Sequence, residues 1–94
     1  MANLITIKEY SVTYNIEPEF LMSLEDSGIL IFTLEGEEKY INEDQLSDLE
    51  RYIHFHYDLH INIEGIDAIR HLLQRVNQMD TEIRHLRSRL HLHE

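Results

Sequence analysis

The stretch ITIKEYSVTYNIEPEFLMSLEDSGIL, residues 5–30, predicts two short helices joined by a tight turn. Thr6 and Glu9 have the spacing of a capping box, so the first helix is expected to begin at about Thr6. Pro18 suits the first turn of a second helix, and Gly28 is a typical helix stop. Two short helices in this arrangement form a helix-turn-helix.

The turn is predicted at IEP, residues 16–18, directly after Asn15 closes the first helix. Asn15 tolerates the left-handed conformation that closes a helix, and the residue before a proline is disfavoured in a helix. The apolar positions assigned to the first helix are Ile7, Tyr10, Val12 and Tyr14, and those assigned to the second are Phe20, Leu21 and Leu24.

A β-hairpin is predicted next, because two β-rich runs, Ile29–Leu34 and Lys39–Ile41, flank the segment EGEE. A hairpin directly after a helix-turn-helix is called a wing. A third helix is expected to start at Asn42 as N-cap, with acidic residues in its first turn. Its predicted apolar stripe consists of Leu46, Leu49, Ile53 and either His56 or Tyr57.

The final segment has the clearest period, since its apolar residues follow one another by three and four positions in alternation. This heptad pattern predicts a helix over residues 64–90, about 25 residues and roughly 38 Å long. Such a helix either packs on its own domain or pairs with a second chain, and its length favours a dimer. The residues assigned to dimerisation are Leu72, Val76, Met79, Ile83, Leu86 and Leu90.

The composition indicates one domain, because 94 residues leave no room for a second core. We divide residues 1–94 into a winged helix-turn-helix core at 4–60 and a dimerisation helix at 64–90. The chain has no cysteine, which excludes disulfides and thiolate sites. No signal peptide or membrane-spanning run is visible, so a soluble, cytoplasmic protein without membrane association is expected.

The net charge of −10 is concentrated in one half of the chain. Residues 1–50 hold twelve acids against Lys8 and Lys39, whereas residues 51–94 hold six acids and six arginines. A DNA-binding domain must neutralise phosphates with Lys and Arg, so the acidic half is expected to repel duplex DNA. It is expected to attract a basic protein surface instead.

Enzymatic motifs are absent: the three glycines are far apart and no nucleophile motif occurs, so catalysis, a cofactor and a small-molecule substrate are not expected. Seven histidines raise the alternative of a metal sensor, with His56 and His60 one helical turn apart. Histidines on the surface or in a helix seam are the simpler interpretation, and we assign no metal ligand. His93 belongs to the C-terminal segment and supports no site alone.

The order of helix-turn-helix, wing, helix and long heptad helix resembles the MerR-type winged helix-turn-helix family. The segment ITIKEYSVTYNIEPEFLMSLEDSGIL is similar to that family's opening block, and YINEDQLSDLERYIHFHYDLHINIEGIDAIRHLL resembles its second block. The resemblance covers about residues 4–90. It implies a mainly α fold with a two-stranded wing and a long C-terminal heptad helix.

The chain departs from DNA-binding members of that family, which carry arginines in the second helix and the wing. Here those elements contain Glu17, Glu19, Glu25, Asp26, Glu35, Glu37 and Glu38, with Lys39 as the one cation. The C-terminal segment INIEGIDAIRHLLQRVNQMDTEIRHLRSRL resembles the chaperone modulators of CbpM type. The resemblance implies binding to the J-domain of a DnaJ-like co-chaperone such as CbpA, and its inhibition.

The resemblance, together with the acidic charge, therefore implies a chaperone modulator that masks the basic, Hsp70-facing surface of a J-domain. The alternative is a MerR-type transcriptional regulator that binds DNA, supported by the fold alone. From sign and expected exposure, the residues assigned to partner binding are Glu25, Asp26, Glu43, Asp44, Asp48 and Asp58. Tyr52 and Phe55 either pack in the core, which we favour, or form the apolar centre of this surface.

Overall fold

The chain is described here by a computed structural model that covers residues 5–91. It begins with a short strand β1 (Ile5–Thr6) and helix α1 (Ile7–Tyr14). Thr6 caps α1, since its Oγ1 accepts a hydrogen bond from the backbone N–H of Glu9 at 3.0 Å. The predicted start of the first helix is confirmed.

The helix-turn-helix is completed by helix α2 (Pro18–Asp26). Asn15 closes α1 in the left-handed region at φ 54°, and Pro18 occupies the first turn of α2. The turn is fastened to a distant part of the chain, because the backbone N–H of Glu17 donates to the Tyr57 hydroxyl at 3.1 Å. Beside it the rings of Phe20 and His56 stack at a centroid distance of 4.4 Å.

The wing is the hairpin of strands β2 (Thr33–Glu35) and β3 (Glu38–Ile41), which pair antiparallel. The other edge of β3 pairs antiparallel with β1, and the sheet therefore has three strands in the order β1-β3-β2. Ile5 lies opposite Ile41 in this pairing. The two-stranded wing is confirmed, and the additional pairing fixes it to the start of the helix-turn-helix.

The predicted start of the first wing strand at Ile29 is wrong. The backbone N–H groups of Ile29 and Leu30 donate to the carbonyl oxygen of Leu24, at 2.9 and 3.3 Å. These bonds complete the C-terminus of α2, where unsatisfied carbonyls need donors. The two residues are therefore held against α2 and buried, and the strand begins later, at Thr33.

The third helical segment has three parts: a 3-10 turn at Glu43–Gln45, helix α3 (Leu46–Ile53) and a π-helical turn at His54–Asp58. Asn42 precedes the 3-10 turn but forms no side-chain cap. Its Oδ1 instead accepts a hydrogen bond from Thr33 Oγ1 at 2.9 Å, which joins the segment to the wing. The predicted N-cap position of Asn42 is therefore confirmed, but the side-chain capping hydrogen bond expected of an asparagine there is not formed.

Helix α4 (Ile63–His91) has 29 residues and is longer than predicted. The Oδ1 of Asn62 accepts a hydrogen bond from the backbone N–H of Gly65 at 2.8 Å, which caps the helix start. A Cβ at Gly65 would lie 2.7 Å from Ile61 Cγ2, so any larger residue at this position would displace the Ile61 side chain. The predicted long C-terminal helix is confirmed, and it extends one residue beyond each end of the range 64–90.

The hydrophobic core lies where α1, α2 and α3 meet the sheet. Five side chains with the lowest exposure form its centre: Leu21, Leu24, Ile41, Leu49 and Ile66. Tyr52 is buried and Phe55 packs against the core, so core packing is confirmed for both. Two of the apolar positions assigned to α1 are wrong, since Val12 and Tyr14 are 84% and 57% exposed.

Helix α4 projects from the rest of the molecule. Every residue from Gln74 to His91 is exposed, which at 1.5 Å per residue corresponds to about 27 Å of helix. The radius of gyration is 17.3 Å, against roughly 13 Å for a compact domain of about 100 residues. The second half of α4 therefore leaves its apolar side chains without cover from their own chain.

Stability at high pH is predicted to fall because of two buried phenols. Burial is the largest cause that raises the pKa of Tyr52, followed by the charge of Asp48, and burial with Glu50 raises the pKa of Tyr10. A pKa raised by folding favours the neutral phenol in the native state. The contribution is complete below pH 10 and is lost as the pH rises through the folded-state pKa.

Tyr52→Phe is therefore expected to flatten the decline in the free energy of unfolding between pH 8 and 11. Urea denaturation at several pH values measures it, and the value at pH 8 gives the baseline effect of the substitution. Adding Tyr10→Phe should flatten the decline further. A decline in Tyr52→Phe as steep as that of the unaltered protein would contradict the prediction.

Candidate protein-binding surface

The outer face of α2 carries acids around one apolar side chain. Glu19, Met22 and Asp26 are exposed and are spaced by three and four residues, which places them on one side of the helix. The opposite side of α2 supplies the buried residues Phe20, Leu21 and Leu24. The exposed face of α2, the second helix of the helix-turn-helix, is therefore negatively charged, as DNA is.

The wing concentrates carboxylates at its turn. Glu35 lies directly opposite Glu38 across the hairpin, and Glu37 stands between them. Gly36 makes the tight turn possible with a φ of 63°. Like charges placed opposite each other weaken a strand pair. Repulsion between these carboxylates lowers the stability of the hairpin. Folding stability therefore does not explain why the turn is acidic.

An ion pair connects the wing to α2. The Nζ of Lys39 contacts Oε1 of Glu25, and the Glu25 side chain is only 24% exposed. The expectation that Glu25 lies free on the surface is therefore wrong, because the β3 side chain reaches it. Its assignment to partner binding stays a prediction, as does that of its exposed neighbour Asp26.

A groove of about 240 Å³ lies between α1, α2 and the wing. Its apolar part is formed by Ile7, Pro18 and Met22, and Glu37 and Glu38 line it from the wing. Sequence analysis missed this site. The signal for it was Met22, an apolar residue outside the core-facing stripe of α2 and flanked by acids.

A second group of predicted site residues lies at the start of the third helical segment. Glu43 and Asp44 are exposed on the 3-10 turn, and Asp48 is half-buried in the first turn of α3. Asp48 also lines a groove of about 260 Å³ between α3 and α4, together with Arg51 and Arg70. The structure brings these three acids onto one helical segment.

Asp58 is separated from that group by the length of α3. It lies at the end of the π-helical turn, where its Oδ2 is 2.7 Å from Nδ1 of His54. Both side chains are more than half exposed. Because Asp58 Oδ2 is already engaged by the His54 ring nitrogen, this acid is a weaker candidate than those on the 3-10 turn.

The histidines do not form the pair that the metal-sensor alternative requires. The helical segment ends at Asp58, and His60 lies beyond it with a φ of 57°, so it is not one helical turn from His56. Nδ1 of His56 is 3.0 Å from the carbonyl oxygen of Ile61. Among residues 5–91, no group of three or more His, Asp or Glu side chains is arranged to hold a metal ion.

The stripe on α4 is uncovered. Its six members are between 48% and 66% exposed: Leu72, Val76, Met79, Ile83, Leu86 and Leu90. Ile66 is the buried residue of this helix. Among residues 5–91, no helix is both long enough and apolar enough to cross a bilayer.

The elements from β1 to α4 occur in the order expected of one known family. The model of the MerR HTH family of regulatory proteins matches residues 5–88, most of the chain. The chain belongs to this family. No significant match was found among curated proteins or among solved structures.

Membership of the family identifies the elements that form the acidic surface. In this MerR-family protein, α2 is the second helix of the helix-turn-helix and the β2–β3 hairpin is the wing. In DNA-binding members of the family, these two elements are expected to carry phosphate-binding arginines. Here they contain no arginine, and their one lysine is engaged by Glu25.

Proposed function

We propose that this MerR-family protein is a chaperone modulator that binds the J-domain of a DnaJ- or CbpA-type co-chaperone and inhibits it. The observation that carries the proposal is the reversed charge of α2 and the wing. Glu19, Asp26 and the carboxylates of the wing turn are exposed there, and Lys39 is held by Glu25. The function requires binding alone and no catalysis.

The charge argument selects the class of partner. A DNA-binding protein gains affinity by releasing counterions from phosphates, which needs exposed Lys or Arg. A carboxylate surface gains nothing from DNA but steers a basic protein surface toward itself. The J-domain surface that faces Hsp70 is a basic helix, so an acidic modulator bound there would exclude Hsp70.

Inhibition is tested by the ATPase activity of Hsp70. A DnaJ-type co-chaperone stimulates this activity, and increasing amounts of the protein are expected to abolish the stimulation without changing the basal rate. Because the contact is electrostatic, the inhibition should weaken as salt is raised. Retardation of duplex DNA at low salt would instead favour the alternative of a DNA-binding regulator.

The predicted contact acids are tested by charge reversal. Replacing Glu43, Asp44 and Asp48 together with lysine is expected to lower the affinity for the J-domain at least about tenfold, since like charges would then face each other. Binding is measured by pull-down with a J-domain protein and by calorimetry. A control variant with the same charge change reverses the exposed residues Glu9, Glu50 and Glu64.

The control is expected to bind like the unaltered protein, because only the position of the charges differs. Circular dichroism establishes that both variants are folded. If the first variant is folded and retains its partner, the assignment of these three acids is wrong.

A further inference from the structure

We propose that the groove between α1, α2 and the wing binds one apolar side chain of an amphipathic basic helix. This inference rests on the proposed function and names the contact point that sequence analysis did not assign. The groove holds about 240 Å³, which is smaller than the roughly 300–1,000 Å³ of small-molecule pockets. Its size suits a single side chain of a protein partner.

The floor of the groove is apolar and adaptable. Ile7 is buried beneath it, Pro18 contributes a rigid ring, and Met22 is 48% exposed. Methionine fits side chains of different shape because it is unbranched and polarisable. An exposed methionine inside an acidic surface is therefore suited to receive an apolar side chain.

The rim selects a basic partner. Glu37 and Glu38 are exposed and, within residues 5–91, neither side chain forms a hydrogen bond or an ion pair. Lys39 also lines the groove, but its charge is engaged by Glu25. The remaining cation, Lys8, is outnumbered by the two free carboxylates.

The occupant that fits this arrangement is a helix with an apolar side chain flanked by Lys or Arg. The apolar side chain covers Met22, and the cations reach the wing carboxylates while their aliphatic stems lie on the groove wall. Glu19 and Asp26 extend the acidic rim along α2. Helix-in-groove binding of this kind gives affinity through the apolar anchor and specificity through the charges.

Methionine methyl groups provide a direct test. The chain has three methionines, of which Met22 lies in the groove and Met79 on the exposed stripe of α4. The whole protein is labelled with ¹³C at the methionine methyl groups and titrated with the isolated J-domain of a DnaJ-type co-chaperone. The Met22 signal is expected to shift with the J-domain, while the Met79 signal stays in place.

Two sets of variants test separately how the floor and the rim of the groove contribute to binding. Met22→Ala is expected to weaken J-domain binding about fivefold and Met22→Leu to restore it, because the leucine refills the floor. Glu37→Gln with Glu38→Gln is expected to weaken binding about tenfold and to reduce its salt dependence. The control Glu50→Gln with Glu64→Gln removes two exposed carboxylates outside the groove and should change neither.

The outcomes distinguish the groove from the proposed function. If the J-domain binds but the Met22 signal does not shift, and the groove variants bind the J-domain as tightly as the unaltered protein, the groove assignment is wrong. The proposed function then stands. If the J-domain does not bind, the function is wrong. The groove is then judged with a synthetic helical peptide of leucine and lysine. A Met22 shift with this peptide supports the groove, and none overturns it. A shift that depends on protein concentration alone assigns the groove to a second copy and overturns the proposal.

Discussion

Replacing Ile66 with alanine is expected to lower the free energy of unfolding by about 2–5 kcal/mol, the usual cost of emptying a fully buried aliphatic site. Ile66 is 0% exposed and is the buried residue of α4. Removal of its side chain leaves a cavity between the long helix and the core. Because the free energy of unfolding of a native domain is only about 5–15 kcal/mol, this one substitution removes a large share of the stability.

The matched control is Ile31→Ala, which deletes the same atoms from a side chain that is 74% exposed. That substitution is expected to change the free energy of unfolding by no more than about 0.5 kcal/mol. Urea denaturation followed by circular dichroism measures both variants at one protein concentration, since any dimer would make stability depend on concentration. Equal losses in the two variants would show that Ile66 does not hold α4 to the core.

The helix-turn-helix was predictable because its determinants are local. The capping of α1 by Thr6 and its closure at Asn15 involve residues within four positions of each other, and Pro18 selects a helix start by its own ring. The heptad period of α4 is likewise a property of one continuous segment. These features are encoded where they act, and the structure confirms each of them.

Two features that sequence analysis missed depend on contacts between separate segments. β1 is a strand because Ile5 pairs with Ile41, and the Asn42 side chain makes no capping hydrogen bond because Thr33 engages it. In both, a tertiary contact overrides the local preference. Ile29 differs: its β-branched side chain favours a strand, but its N–H completes the C-terminus of α2, five residues earlier in the chain.

For the candidate site as well, some features could be predicted from the sequence and others required the fold. The sign of the surface was predictable from composition, because nearly every charge on α2 and the wing is negative. The arrangement was not, since the pairing of Glu25 with Lys39 and the groove around Met22 each join separate segments. Charge patterns thus predicted the sign of the surface, whereas the arrangement of its residues required the fold.

Ile83→Asp is expected to convert the predicted dimer into a monomer. Ile83 lies in the middle of the α4 stripe and is 48% exposed on a helix whose last 18 residues all face solvent. An apolar stripe of six residues at heptad spacing is stable in water when a second helix covers it. A buried, unpaired carboxylate costs several kcal/mol, so the dissociation constant should rise on the order of 100-fold or more.

Sedimentation velocity over a range of micromolar concentrations measures the change. The control is Thr81→Asp, which places the same charge two residues away on the opposite side of α4, and this variant should remain dimeric. A monomeric unaltered protein would refute the predicted dimer. The stripe would then need a different partner, because an apolar face this long is not covered by its own domain, and the co-chaperone itself would be the first protein to test against it.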